Sequence, residues 1–284
     1  GLQDNGTLVT GILNDNDGTF DINDMITGGD GAYCFFDNDQ PLLITSTYYN
    51  AWYFINHQNN NYEYENNNSG VFINPADYDS YNNILYANKV RFNGTQNQRI
   101  IISDNIDPYN FDEDINFNTL NLYTGTSVYY SALKIFNNNG SSDLYIGTQS
   151  GRLFKIENVN SGPITTEIGS VDFPTANISS INISDSGNFI FITFSNYGVS
   201  SIWLSVDSGS NWVEKESNLP DMPVRYGIIH PDNNNYVLIA TEIGVWECNN
   251  LLEEDNFWQP SIDGLANVRV DMLSIRPEDN MVVA

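Results

Sequence analysis

Eight residues, Ser205-Val206-Asp207-Ser208-Gly209-Ser210-Asn211-Trp212, decide the fold of this chain. They fit the pattern S-x-D-x-G-x-x-W, whose fixed positions each have a local role. The short carboxylate of Asp207 can accept hydrogen bonds from amides of its own turn, Gly209 permits a positive φ, and Trp212 can anchor the loop. The stretch therefore predicts a tight, stapled turn between two strands, with Ser205, Asp207, Gly209 and Trp212 in structural roles.

The strands around this turn belong to a unit that repeats along the chain. One copy begins at Ser131, the next at Ile178 and the clearest at Arg225, and each contains four short strands in sequence. Matching positions in the second strands are Gly147, Thr193, Ala240 and Ala284, which are 46, 47 and 44 residues apart. A repeat of about 45 residues with four strands is typical of a β-propeller blade.

The N-terminal half contains weaker copies of the same unit. Ala32 to Asp37 and Pro41 to Thr47 are predicted as the first two strands of one blade, and Val71 to Pro75 and Ile84 to Asn88 as those of the next. Two Asn-rich tracts have no apolar period and sit where outer strands or long loops belong, and they are interpreted as insertions. These tracts are Gln58 to Asn68 and Asp104 to Leu120.

The two ends of the chain predict incomplete blades. Residues 1–28 would supply the last strands of a blade whose start is missing, and Val268 to Ala284 the first strands of a blade whose end is missing. The sequence thus predicts five full blades and two partial ones in a single domain, residues 1–284, excerpted from a longer chain. No stretch has sustained helical periodicity, so the fold class is all-β.

Composition limits the partners of the chain. It has 36 acidic and 10 basic residues and a formal net charge of −26, which repels nucleic acid and anionic membrane surfaces. No apolar run reaches 18 residues, so no transmembrane helix and no membrane insertion are expected. High Asn, Tyr and acidic content with few Lys favours a secreted or cell-surface protein. Cys34 and Cys248 are expected to be two unpaired, buried thiols.

The face of a blade on which each turn emerges predicts where a ligand would bind. Successive strands are antiparallel, so the turn between the second and third strands lies on the same face as the connection to the next blade, and the Asp207 turn lies on the opposite face. Glycines flank two acidic residues on the first face, and an aromatic platform of the kind that stacks on sugars lies beside them. The candidate ligand-binding residues are Asp4, Asn5, Asp30, Tyr48, Tyr49 and Trp52. Capping of turn amides by the aspartates and blade packing by the aromatic residues are the alternatives.

An acidic stretch from Leu13 to Asp24 suggests calcium. Its carboxylates are Asp15, Asp17, Asp21 and Asp24. Laid on the EF-hand loop, the stretch has Leu13 where the first ligand should be, so it is not an EF-hand. A calcium loop of another kind and a solvated acidic turn both remain open, and no other cofactor is expected.

Catalytic patterns are few. His57 and His230 occur without the Ser, Cys or Asp context of a nucleophile triad. No phosphate-binding loop, dinucleotide fingerprint or paired-cysteine zinc site is present in the sequence.

The turn at Ser205 to Trp212 resembles the Asp-box of bacterial neuraminidase repeats, in which such turns join the two outer strands of propeller blades. Ile202 to Leu219, Val237 to Val245 and Gly264 to Ala284 also resemble sortilin-type propeller repeats. Gln3 to Thr7 and Gly28 to Tyr33 are similar to segments of large secreted propeller proteins, many of them exported by the type IX system. The resemblance implies a β-propeller that acts outside the cell.

Three functions follow from this resemblance, since a fold alone does not choose among them. The leading hypothesis is a non-catalytic propeller that recognises a glycan or a protein. The second is a glycoside hydrolase similar to the xyloglucanases, which use two aspartates across a cleft between two propellers; Gly29-Asp30-Gly31-Ala32-Tyr33 resembles one of their catalytic stretches, and Asp4 would be the partner. The third is an exported cargo or scaffold that contacts secretion or surface-attachment machinery. Sialidase activity is excluded because the Arg-Ile-Pro motif of that family is missing.

Overall fold

The computed structural model describes residues 6–9, 24–89, 99–104, 106–111, 115–122, 129–138, 140–261, 264, 267–276 and 279–284. The chain divides into two compact units, Gly1–Ser127 and Val128–Ala284. Every regular element described is a β-strand.

The described part of the first unit contains ten strands. They are β1 (Thr7–Val9), β2 (Asp24–Thr27), β3 (Cys34–Phe36), β4 (Leu42–Ser46), β5 (Ala51–Asn56), β6 (Tyr62–Asn66), β7 (Ala76–Asp79), β8 (Ile84–Asn88), β9 (Arg99–Asp104) and β10 (Asn116–Asn121).

The second unit contains fourteen strands in its described part. They are β11 (Tyr130–Asn138), β12 (Ser141–Thr148), β13 (Leu153–Glu157), β14 (Ile164–Glu167), β15 (Ile178–Ile183), β16 (Ile190–Phe194), β17 (Ile202–Ser205), β18 (Val213–Glu214), β19 (Val224–His230), β20 (Asn233–Thr241), β21 (Gly244–Cys248), β22 (Gln259–Pro260), β23 (Ser274–Arg276) and β24 (Met281–Val283).

These strands form antiparallel sheets in which neighbours in space are also neighbours in sequence. Five four-stranded sheets are described: sheet one (β3–β6), sheet two (β7–β10), sheet three (β11–β14), sheet four (β15–β18) and sheet five (β19–β22). The first two and the last two strands in the sequence pair as two-stranded sheets, β1–β2 and β23–β24. The described part thus confirms the predicted all-β fold with five full and two partial four-stranded units. That residues 1–284 form a single domain stays a prediction.

The second strand of each full sheet lies between two others, and its sequence reflects that position. Leu42–Ser46 and Ile190–Phe194 are buried at every residue, because both faces of an inner strand are covered by neighbouring sheets. The fourth strand is an edge, so polar residues are tolerated there. β6 and β10, which fall almost wholly in the two Asn-rich tracts, combine exposed and half-buried residues. The interpretation of the two Asn-rich tracts as insertions is therefore wrong, since each supplies the outer strand of its sheet.

The predicted first strand of sheet two is also displaced. Val71 to Pro75 is a loop, and the strand is Ala76–Asp79. The reason lies in Asn74, whose buried side chain accepts a hydrogen bond from the Val71 amide (2.9 Å) and so closes a local turn.

Small apolar cores separate successive sheets. Ile44, Phe54 and Leu85 belong to the core between sheets one and two, and Ile181 and Phe194 to the core between sheets three and four. Two further clusters follow, between sheets four and five and between sheet five and β23–β24. Burial is thus spread over repeated interfaces, as expected for stacked blades.

The two cysteines differ in environment. Cys248 is a buried free thiol, as expected, whereas the Cys34 side chain is exposed. The prediction of burial was wrong for Cys34, because it lies on β3 with its side chain directed away from the core that contains Phe35.

Candidate functional site

The turn between β4 and β5 holds a tyrosine in an unusual backbone conformation. Tyr49 and Asn50 have φ values of 55° and 58°. Asn adopts this left-handed region readily, but for a bulky residue such as Tyr it costs roughly 1–2 kcal/mol. Backbone hydrogen bonds hold Tyr49 there: its amide donates to Phe72 O (3.3 Å) and its carbonyl accepts from Ser69 N (3.2 Å). Strain maintained in this way is characteristic of functional sites.

Three exposed rings meet at this turn, and we call them the aromatic cluster: Tyr48, Tyr49 and Phe72. Tyr48 and Phe72 are nearly parallel, with an interplanar angle of 2° and centroids 5.9 Å apart. Tyr49 stands at right angles to both, 5.7 Å from each. The residues are 44 %, 38 % and 41 % exposed, so three aromatic residues remain accessible to a ligand.

A network of buried asparagines lies beneath the aromatic cluster. The Asn74 amide donates to Asn50 Oδ1 (2.6 Å) and to Asn88 O (2.8 Å), and the Asn88 amide donates back to Asn74 Oδ1 (3.0 Å). The Asn50 amide also donates to Asn88 O (2.8 Å). The three residues are at most 3 % exposed. A satisfied buried network of this kind rigidifies the backbone that carries the rings above it.

Trp52 is not part of the accessible surface. It is fully buried in the core between sheets one and two, and its indole N–H donates to Asn50 Oδ1 (3.3 Å). A side chain without exposed area cannot stack on a ligand, so the assignment of Trp52 as a ligand contact is corrected to a packing role. The third exposed ring of the aromatic cluster is Phe72 instead. The sequence did not predict it as a candidate because Val71 to Pro75 was expected to be a strand.

Asp30 lies at the same end of sheet one as the aromatic cluster. It belongs to the connection between β2 and β3, which meets the end of β4 where Ala32 N donates to Ser46 O (3.0 Å). Its side chain is half-buried. Asp4 and Asn5, its predicted companions, lie outside the described residues.

The calcium hypothesis falls mostly on residues that the structure does not describe. Asp15, Asp17 and Asp21 lie outside the described residues, and Asp24 begins β2. Elsewhere, the described part of the chain contains no group of three or more His, Cys, Asp or Glu side chains suited to a metal ion.

The turn at Ser205 to Trp212 has the stapled geometry that its spacing predicts. Asp207 Oδ1 accepts from Ser205 Oγ (2.8 Å) and from Asn211 N (2.8 Å), and Gly209 has a φ of 91°. Trp212 donates its indole N–H to Ile168 O (2.7 Å) and packs edge-on against Phe173. Hydrogen bonds, first those from Asn211, lower the pKa of Asp207 below its ordinary value.

This turn joins β17 to β18, at the end of sheet four opposite the turn between its second and third strands. Every contact of the Asp207 carboxylate described above is internal to the turn. These bonds stabilise the turn itself, and a structural role for Asp207 stays a prediction.

The histidines occupy two unrelated surroundings. The His57 ring lies 6.4 Å from that of Phe36. His230 Nδ1 accepts from the Asp232 amide (3.2 Å), and its ring lies 5.6 Å from Tyr236. His230 also lines a cavity of about 490 Å³ together with Lys134 and Asp185. Neither histidine has a nucleophile beside it among the contacts described.

Comparison with known proteins identifies the architecture. No protein-family model and no curated protein matches the chain. Solved structures do match: a GH74 xyloglucanase from Xanthomonas campestris has a TM-score of 0.62 at 12 % identity, covering 87 % of this chain and 40 % of that one. A GH74 enzyme from Niastella koreensis has a TM-score of 0.55 at 16 % identity, covering 80 % and 36 %. The chain therefore spans less than half the length of either enzyme.

Together with the sheets described above, these similarities define the class: the chain has a β-propeller fold. At such low identity the likeness concerns the fold alone. Assignment to the Asp-box or sortilin-type families remains a resemblance of sequence. Within the described residues, no helix is long and apolar enough to span a lipid bilayer.

Proposed function

We propose that this β-propeller is a non-catalytic recognition module that binds a glycan at the aromatic cluster. The observation that carries the proposal is the exposure of three rings above a buried asparagine network: Tyr48 and Tyr49 lie on a strained turn, and Phe72 lies on the loop that packs against it. Flat rings with polar groups beside them suit the apolar face and the hydroxyls of a sugar. The formal charge of −26 argues against polyanionic ligands.

Direct binding measurements test this function. The wild-type protein and the triple variant Tyr48→Ala/Tyr49→Ala/Phe72→Ala are compared on an array of neutral glycans and by titration calorimetry with any glycan retained. We expect the variant to bind at least about tenfold more weakly, because losing even about 1.4 kcal/mol of ring contact has that effect.

The matched control is Tyr197→Ala. Tyr197 is 66 % exposed and lies on the corresponding turn of sheet four, between β16 and β17, so its loss should leave binding unchanged. Circular dichroism melts establish that each variant is folded. Unchanged binding by the triple variant, or retention of a protein partner in place of any glycan, would count against the proposal.

A glycoside hydrolase is the second candidate. The fold shared with a xyloglucanase and the position of Asp30 at the same end of sheet one as the aromatic cluster favour it. It requires Asp30 to act as an acid or base with a second carboxylate, for which Asp4 is the proposed partner. Release of new reducing ends from xyloglucan by the wild type, abolished in Asp30→Asn, would support hydrolysis. Intact polysaccharide after prolonged incubation would remove it.

The amino-acid composition supports a secreted or cell-surface location, where the protein would encounter glycans. Docking to secretion or surface-attachment machinery is the third candidate. It predicts a protein that co-purifies with the chain and whose binding survives loss of the aromatic cluster.

A further inference from the structure

Three more tyrosines lie on one face of the outer two strands of sheet one, and we call them the tyrosine track: Tyr53, Tyr62 and Tyr64. The Tyr53 and Tyr64 rings are 4.7 Å apart, and those of Tyr53 and Tyr62 are 6.1 Å apart. Tyr62 is 60 % exposed and Tyr64 is 43 % exposed. These rings therefore form a second accessible aromatic surface, on the strands that follow the turn of the aromatic cluster.

The face that carries the tyrosine track has no charged side chain on β5 or β6. Strand register places Tyr53 opposite Tyr64, Ile55 opposite Tyr62, and Ala51 opposite Asn66. Side chains alternate between faces, so Glu63 and Glu65 point to the other face, with their cross-strand partners Phe54 and Trp52. On these two strands the face is uncharged, so an uncharged ligand fits it best.

Amide groups accompany the rings. Asn66 Nδ2 donates to the Tyr64 hydroxyl (3.3 Å), and the exposed Asn59, Asn60 and Asn61 precede Tyr62. Side-chain amides offer both donors and acceptors, which match the hydroxyls of a sugar chain. A docking surface for a protein core would be expected to carry aliphatic residues in their place.

The tyrosine track continues into the aromatic cluster. Just after the C-terminal end of β6, Asn67 N donates to Asn50 O (3.1 Å), and Ser69 N donates to Tyr49 O (3.2 Å). Burial raises the pKa of Tyr53, and the neighbouring hydroxyls of Tyr64, Tyr62 and Tyr48 raise it further, which agrees with one connected group of rings. From Tyr62 to Asn66 the strand rises about 14 Å, at roughly 3.4 Å per residue.

We propose that the tyrosine track and the aromatic cluster together bind an extended, uncharged polysaccharide chain along the outer strands of sheet one. This inference rests on the proposed glycan-binding function and adds to it that the ligand is polymeric. A monosaccharide could contact only one of the two surfaces, whereas a chain would lie across both.

The experiment measures binding as a function of ligand length. Affinity electrophoresis is run in gels that contain hydroxyethylcellulose, galactomannan or laminarin as neutral probes, and short oligosaccharides of the retarding polymer are then tested as competitors. We expect wild-type protein to prefer the polymer over its disaccharide by at least about tenfold. Tyr62→Ala/Tyr64→Ala should weaken polymer binding by about tenfold and remove most of the preference for the polymer over the disaccharide.

Tyr81→Ala is the matched control. Tyr81 is 67 % exposed but lies on the turn between β7 and β8, away from both surfaces, so its loss should change neither affinity. Thermal melts establish that Tyr62→Ala/Tyr64→Ala is folded.

The outcomes separate the two proposals. If no neutral glycan binds to the wild type, the proposed function fails and the track fails with it. If glycans bind but polymer and disaccharide do so equally, or if Tyr62→Ala/Tyr64→Ala retains polymer binding, only the track is overturned. A wild-type dimer by light scattering that Tyr62→Ala/Tyr64→Ala dissociates would also overturn the track, because a second copy would then occupy this face.

Discussion

The Ser179 hydroxyl lies 2.6 Å from the backbone carbonyl oxygen of Val224 and donates a hydrogen bond to it, joining the first strand of sheet four to that of sheet five. The same link occurs one repeat earlier, where Ser131 Oγ donates to Ile178 O (2.7 Å). In each case the serine occupies an irregularity of strand register, between Ile178 and Ser180 or between Tyr130 and Ala132. A bulge redirects its side chain, so the serine can satisfy a backbone group of the next sheet.

Side chains of β15 also protect edge amides of β19. Ser180 Oγ accepts from Gly227 N (3.0 Å), and Asn182 Oδ1 accepts from Ile229 N (3.0 Å). Unpaired edge groups favour aggregation, and side chains of the preceding sheet satisfy these two. Polar residues in β15 therefore join neighbouring repeats, and their value depends on the sheet that follows.

Ser179→Ala tests the link between sheets. The substitution removes donation to Val224 O and the contact with Thr193 Oγ1 (2.8 Å), so the free energy of unfolding should fall by about 1 kcal/mol. Urea denaturation followed by tryptophan fluorescence measures the change. Ser186→Ala is the control, because exposed Ser186 lies on the turn between β15 and β16 and makes no contact with sheet five among those described. Equal losses in the two variants would contradict the assigned role of Ser179.

Asp207→Asn tests the stapled turn through pH. The folded-state pKa of Asp207 is lowered, so its carboxylate contributes stability that is fully present above the unfolded pKa and is lost as pH falls through the folded value. Wild type should therefore be more stable than Asp207→Asn at pH 7, and the difference should shrink below about pH 4. Thermal melts at a series of pH values measure it.

Glycan binding by Asp207→Asn is measured at neutral pH as a second test of the turn. Asp207→Asn should bind as the wild type does, because the turn is structural. A stability difference independent of pH, or a loss of binding without unfolding, would contradict this assignment.

Asn74→Ala tests the support of the aromatic cluster. The substitution removes four hydrogen bonds of the Asn74 side chain, two that its Oδ1 accepts and two that its amide donates, each worth about 0.5–1.5 kcal/mol. We expect the free energy of unfolding to fall by about 3 kcal/mol, together with weaker glycan binding. Asn59→Ala is the control, since Asn59 is exposed and its side chain accepts only the Asn61 amide among the bonds described. Wild-type stability in Asn74→Ala would show that the network does not support the turn.

Local patterns were sufficient to predict most of the fold. The spacing of Ser205, Asp207, Gly209 and Trp212 specifies a turn whose bonds lie almost wholly within a few residues, and that turn is observed. The repeat of about 45 residues predicted four-stranded sheets because each unit has the same hydrophobic pattern. The Asn-rich outer strands were missed because an exposed edge strand has little apolar signal to detect.

The candidate site was only partly predictable. Tyr48 and Tyr49 were identified from their position on a turn between strands, and the structure places both on the surface. Trp52, expected as a ligand contact, is buried, whereas Phe72, expected within a strand, is exposed on a loop. No pattern within either segment predicts this difference in burial. The alternation of β5 places Trp52 on the opposite face from Tyr53, but it does not say which of these two faces a neighbouring sheet will cover.

The sequence alone therefore determined the all-β class, the repeat and the stapled turn, because these depend on contacts between residues close in the chain. Only the tertiary structure decided that Trp52 is buried, that Phe72 stacks on Tyr48 from a loop 24 positions further along the chain, and that Tyr53, Tyr62 and Tyr64 share an uncharged face. Those outcomes depend on which surfaces the neighbouring strands and loops leave open, and long-range packing sets that.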